Sequence, residues 1–190
     1  MFSILGGQWR GRKLKALDRE GLRPSLSRVK ASMFSILESI VWKRTGKPDF
    51  SHWRCLDLYA GVGGLGIEML SRGAAHCVFV ERDRVHAKIL RENLESLGCS
   101  DQATVLLGEV DNTDWPMCGP FDLIFLDPPY ANSYLPDLMA KLAAGDLLKP
   151  GAIIIFEHDP KFIQEEVPGL ILHSARKLGP AGITVYLRDP

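Results

Sequence analysis

The sequence predicts an α/β fold, a mostly parallel sheet with helices on both faces, a C-terminal antiparallel hairpin, and a small N-terminal β-hairpin and helix. Three observations carry this. From Arg54 onward, near-continuous apolar runs alternate with amphipathic ones, the pattern of strands buried on both faces. A glycine-rich turn, "AGVGGLG", follows the first of those runs. The last two runs, "LILHSARKLG" and "AGITVYLRD", are joined by a short Gly/Pro turn, so one strand must run antiparallel to the rest.

The elements follow in order. "SILGGQWRGRKLKAL" reads as two short strands around a turn broken by Gly6, Gly7 and Gly11. "LRPSLSRVKASMFSILESIVW" is helical, with Val29, Met33, Ile36, Leu37 and Ile40 at spacings of three and four and with Ser25 or Ser27 as the cap. "KRTGKPDFSHW" is a polar link. "RCLDLYA" is a strand, and "GVGGLGIEMLSRG" is a turn feeding a helix that ends at Gly73. "HCVFVE" and "ATVLLG" are strands on either side of the helix "RDRVHAKILRENLESLG", which shows Leu90, Leu94 and Leu97 on one side. After an irregular piece carrying "DWP" come the strand "FDLIFLD", the helix "SYLPDLMAKLAAG" and the strand "GAIIIFE". Two units are expected, a basic extension over residues 1–45 and a main domain over 54–190.

Composition narrows the class. With 46% apolar and 24% charged residues the chain is an ordinary globular one, and no apolar run reaches the roughly 18 residues a membrane helix needs. No signal peptide is expected, because the charges of "MFSILGGQWRGRK" follow its apolar part. Cys55, Cys77, Cys99 and Cys118 form no C-x-x-C pair and the histidines no H-x-x-x-H pair, so reduced thiols in a cytoplasmic protein without a metal are expected. Charge is uneven. Residues 1–30 hold eight Lys/Arg against Asp18 and Glu20, a balance of +6 on a chain of net zero charge. Such an arm either meets a polyanion or is a solvated surface segment.

Open α/β sheets bind ligands outside the carboxyl ends of their strands. Gly61, Gly63 and Gly66 fit G-x-G-x-x-G, a weak signal that alone would also admit a nicotinamide dehydrogenase. Asp57, however, sits at the end of the strand just before that turn. A carboxylate there is awkward beside a pyrophosphate and suits a cation, which favours S-adenosylmethionine with its sulfonium and ammonium groups. Glu81 ends the next strand and can accept both ribose hydroxyls. Glu109 follows the third strand and is a candidate acceptor for an adenine amine, with Asp111 as its competitor.

The fourth strand end is "FLDPPY". Asp127 is held by a buried strand, and Pro128 and Pro129 fix the backbone and lack N–H groups, leaving their carbonyls free. An acid and a rigid carbonyl form an acceptor pair for the two hydrogens of an exocyclic amine. Tyr130 adds a flat face on which a base can stack.

"DLYAGVGGLGIE", "VFVERD", "FLDPPY" and the terminal hairpin together resemble the class I S-adenosylmethionine-dependent methyltransferases, and "DPPY" is similar to the signature of amino-methyltransferases. "GGQWRGRKLK" with "LRPSLSRVKASMFSIL" resembles the N-terminal signature of the RsmD family, bacterial 16S ribosomal RNA guanine-N2 methyltransferases. The resemblance spans nearly the whole chain. It implies a Rossmann-like seven-stranded sheet and a cofactor, S-adenosyl-L-methionine, surrounded by Asp57, Tyr59, Ala60, Gly61, Gly63, Glu81, Arg82, Glu109 and Asp127. The target base would lie against Asp127, Pro128, Pro129 and Tyr130. RNA phosphates would meet Arg10, Arg12, Lys13, Lys15, Arg23 and Arg28, with a monomer acting on a small-subunit particle. The chain departs from the family pattern at Val62, where a small serine is usual, at Ser25 for threonine, and at Ser27 and Ala31 for acids. An enzyme acting on adenine N6 and an inactive RNA-binding assembly factor are the competing readings.

Overall fold

The computed structural model describes residues 2–17, 24–128, 135–162 and 166–189. The N-terminal hairpin pairs β1 (Phe2–Ser3) with β2 (Lys13–Leu14) antiparallel. Helix α1 (Pro24–Thr45) follows. It begins at Pro24, whose fixed φ suits a first helical position, so Ser25 and Ser27 lie inside the first turns and neither precedes the helix as its cap.

The main sheet contains β3 (Arg54–Leu58), β4 (His76–Glu81), β5 (Ala103–Leu107), β6 (Phe121–Leu126), β7 (Leu148–His158), β8 (Leu170–Leu178) and β9 (Ala181–Arg188). Its order is β5-β4-β3-β6-β7-β9-β8, with β9 antiparallel to both neighbours. The Rossmann-like architecture expected from the sequence is present, including the terminal hairpin. The chain runs outward from β3 through β4 to β5, then returns to place β6 on the other side of β3. That reversal makes the carboxyl ends of β3 and β6 the switch point, where diverging connections leave a crevice.

Residue alternation along the strands sorts the core into two layers. Cys55, Cys77, Phe79, Leu123, Phe125, Ile153 and Ile155 pack on one face with α1, α2 (Gly66–Ser71) and α3 (Arg84–Leu97). Leu56, Val78, Val80, Ile124, Leu126 and Ile154 pack on the other with α4 (Leu135–Ala143) and the buried Trp115. Asp83 caps α3 by accepting the Val85 and His86 N–H groups, and Gly98 ends it in a left-handed conformation. Among the described residues, no helix is long and apolar enough to cross a membrane.

The N-terminal hairpin is docked on α2 by a buried acid. Glu68, on α2, has no exposed surface and accepts the Leu5 and Gly6 N–H groups at 2.8 and 2.7 Å. Its carboxylate also pairs with Lys30 at 2.8 Å and Arg72 at 3.0 Å. Ser71 completes the seam, donating its hydroxyl to the Gly6 carbonyl and accepting the Trp9 N–H. A carboxylate held by two cations and two amides has its desolvation offset at every lone pair.

Candidate functional site

The acids that the sequence places at strand ends come together at the switch point. Asp57 stands opposite Phe125 in the parallel register, and Leu58 opposite both Val80 and Leu126. The chain just beyond β3 therefore lies between Glu81 on β4 and Asp127 at the end of β6.

The turn after β3 is held by its neighbours. Tyr59 adopts φ +67°, a left-handed conformation uncommon for a bulky residue and costing on the order of 1–3 kcal/mol. It redirects the chain so that the Ala60 N–H reaches the Val80 carbonyl at 3.0 Å. The Gly61 N–H then donates to Glu81 Oε2 at 2.7 Å, while Glu81 Oε1 accepts the Asp83 N–H at 2.7 Å. Asp57 Oδ2 accepts the Gly66 N–H at 2.8 Å, at the start of α2. At Gly66 an added Cβ would lie 2.3 Å from the Phe79 ring, so only glycine lets α2 approach the sheet this closely.

Asp57 is almost fully buried, and burial pushes its carboxyl up to about 7. The Gly66 N–H opposes that rise, whereas the charges of Asp127 and Glu81 add to it. Burial likewise raises Asp127 to about 6. Three acids thus converge, and burial holds Asp57 and Asp127 above the ordinary carboxylate range. The space beside Gly61 and Gly64 is open among the described residues, none of which comes within 4 Å of where a Cβ would stand. An acid-lined cradle beside exposed backbone fits a ligand carrying positive charge and repels a pyrophosphate.

The other expected residues are placed as follows. Arg82 pairs with Glu109 at 3.4 Å, both half-exposed, so an adenine amine at Glu109 would share that carboxylate with a guanidinium. Asp111 is exposed. Pro128 is buried directly after Asp127, while Pro129, Tyr130 and Arg23 lie outside the described residues. Arg10, Arg12, Lys13, Lys15 and Arg28 are exposed. Two of them also bind the body of the protein: Arg12 donates to the Ser96 carbonyl at 2.8 Å, and Lys15 pairs with Glu92 at 3.0 Å. Val62 is buried, and its carbonyl accepts from Asn93 at 3.1 Å. Asn93 and Glu68 were not among the expected site residues. Each is a polar helix residue that sequence alone reads as solvated, although α2 is buried along its whole length and Asn93 lies on the buried side of α3. An open hollow of about 520 Å³ runs along β8 and β9, at the far edge of the sheet from these acids.

Comparison with known proteins agrees with this architecture. The family model described as Conserved hypothetical protein 95 matches residues 2–187. The ribosomal RNA small subunit methyltransferase D of Haemophilus influenzae is 38% identical over 157 residues, covering 81% of this chain and 77% of that one. Its Escherichia coli K12 namesake is 32% identical, covering 98% of this chain and 89% of that one. The solved Escherichia coli protein yhhF superposes with a TM-score of 0.81 at 32% identity, over 99% of this chain and 98% of that one. With its acid-lined turn and a family match along almost its whole length, the chain belongs to the RsmD family of class I S-adenosylmethionine-dependent methyltransferases.

Proposed function

We propose that the chain methylates the exocyclic N2 amine of a guanine in 16S, small-subunit ribosomal RNA. The observation that carries the reading is the placement of Asp127 next to the acid-lined turn, through the Leu58–Leu126 register. An acceptor for an amine and a cradle for a cation are thereby neighbours. The names of the curated relatives, which specify the ribosomal small subunit, support the choice of RNA.

Bound in the cradle, S-adenosylmethionine supplies an electrophilic methyl on a positively charged sulfur. Asp57 and Glu81 provide the negative surroundings and hold the turn by the Gly66 and Gly61 N–H groups. The arylamine nucleophile is weak because its lone pair is delocalised into the ring. Asp127 and the Pro128 carbonyl accept its two hydrogens, which favours a pyramidal nitrogen and holds the lone pair in line. Orientation of this kind contributes up to about 7–11 kcal/mol in ideal intramolecular cases. The nitrogen takes the methyl as the methyl–sulfur bond breaks and the sulfur departs as a neutral thioether; it becomes cationic and loses one proton, which the Asp127 carboxylate accepts. A carboxyl raised to about 6 by burial is mostly ionised at neutral pH yet basic enough for that transfer. Tyr130 stacks on the extruded base, which must leave its helix to reach the bend.

Residues 1–45 form the RNA-contacting extension and 54–190 the methyltransferase domain. Arg10, Arg12, Lys13, Lys15, Arg23 and Arg28 meet phosphates, and a monomer acts in the cytoplasm on an assembling small-subunit particle. The test is incubation of the protein with labelled S-adenosylmethionine and small-subunit particles from cells lacking it, followed by nucleoside analysis. Label in N2-methylguanosine is expected. Label in N6-methyladenosine would replace guanine by adenine, and tight cofactor binding with no label in any RNA would favour an assembly factor.

A further inference from the structure

One buried side chain joins the basic arm to the cofactor turn and takes no part in the chemistry above. Asn93, on α3, is 1% exposed. Its Oδ1 accepts the Lys15 N–H at 2.8 Å, and its Nδ2 donates to the Lys15 carbonyl at 3.1 Å. The same Nδ2 donates to the Val62 carbonyl at 3.1 Å. One amide therefore satisfies both backbone groups of an arm residue, as a strand neighbour would, and also fixes the peptide between Gly61 and Gly63. Those glycines stand at φ +54° and +91° and set the course of the turn.

Around this tether the arm's cations rest on α3 by contacts that phosphate can outcompete. The Lys15 side chain is two-thirds exposed in its pair with Glu92, and the exposed Arg12 donates to a main-chain carbonyl. Exposed pairs of this kind contribute little, whereas losing a buried amide leaves several backbone groups without partners. When the side chains of Arg12 and Lys15 turn to a polyanion, the Lys15 backbone therefore stays bound to Asn93. Any displacement of the arm is passed to the Val62 carbonyl.

We propose that Asn93 is a positioning residue that couples RNA engagement by the arm to the shape of the cofactor turn. Each ligand thereby tightens the binding of the other. The inference rests on the RNA-methyltransferase reading above. Because coupling between two sites is reciprocal, the factor by which RNA raises cofactor affinity equals the factor by which cofactor raises RNA affinity.

The experiment measures the dissociation constant of S-adenosylhomocysteine by calorimetry on the full chain, with and without an unmodified 16S ribosomal RNA transcript. RNA is expected to tighten binding by about fivefold in the wild type. In Asn93→Ala and Asn93→Asp the ratio falls to near one; the second variant keeps the acceptor for the Lys15 N–H and loses the donor to the Lys15 and Val62 carbonyls. Glu92→Gln, which removes only the surface pair, retains the wild-type ratio. Should the Asn93 variants not fold, amide exchange of the wild type reports instead: RNA alone is expected to slow exchange across residues 60–66. Equal ratios in wild type and Asn93→Ala, or unchanged exchange in that turn, would overturn the coupling while leaving the methyltransferase reading intact. Failure of the wild type to bind S-adenosylhomocysteine at all would overturn both.

Discussion

Glu81 Oε2 accepts the Gly61 N–H at 2.7 Å, so the end of β4 and the glycine turn after β3 form one hydrogen-bonded unit. The carboxylate also binds the Asp83 N–H, and each oxygen keeps a lone pair for a ligand hydroxyl. Glu81→Gln removes the charge and turns one acceptor into a donor facing a backbone N–H. Cofactor affinity measured by calorimetry is expected to fall about tenfold or more, corresponding to a lost charge-assisted hydrogen bond.

The acid cluster gives a pH dependence with a definite sign. Asp57 and Asp127 are raised from 3.8 to about 7 and about 6, by burial first in each case. The folded chain therefore holds protons that the unfolded chain has already released. The stabilisation is full below the unfolded value and is lost as pH rises through about 6 and then about 7. In thermal melts the unliganded protein loses stability between about pH 4 and pH 7, and Asp57→Asn flattens that loss. Affinity for the cationic cofactor runs the other way, weakening as acid neutralises the carboxylates. A melt and a binding curve that both ignore pH would contradict the placement of the cluster.

Docking of the arm predicts large stability effects far from the chemistry. Gly7 stands at φ +77°, and a Cβ there would lie 1.9 Å from the Ser71 carbonyl oxygen. Gly7→Ala is expected to unseat the hairpin at a cost of about 2 kcal/mol or more in urea denaturation. Glu68→Gln leaves Lys30 and Arg72 facing a neutral group in a buried seam, at a cost of about 3 kcal/mol.

If the arm tracks RNA phosphates, salt dependence reports it. Neutralising Arg10, Lys13 or Arg28 singly is expected to reduce the slope of log affinity against log salt by about 0.7 each. Arg12 and Lys15 already bond to α3 in the free protein, so each change there lowers the slope by less. A loss of cofactor affinity at Arg10 or Lys13, with the slope intact, would contradict the assignment.

The sheet was legible because parallel strands buried on both faces are apolar along their length, so Asp57, Glu81 and Asp127 stood out where each run stopped. Their convergence was not legible, since it depends on strand order and register. Tyr59 gave no signal of its positive φ, which neighbouring hydrogen bonds impose on an ordinary side chain. Glu68 and Asn93 resemble solvated helix positions because most of their partners are distant in sequence: Leu5, Gly6 and Lys30 for Glu68, and Lys15 and Val62 for Asn93. Ser25 and Ser27 both look like caps in the sequence, yet α1 already contains Pro24, so both serines lie within it.

The account turns on Asp127 as the acceptor that presents the amine beside the cofactor. Single-turnover methyl transfer by Asp127→Ala, measured alongside its cofactor dissociation constant, tests this most directly. The expected result is a fall in the chemical rate of about 100-fold or more, with cofactor affinity changed by less than about tenfold. A rate within about threefold of wild type at saturating cofactor and RNA would contradict the central claim.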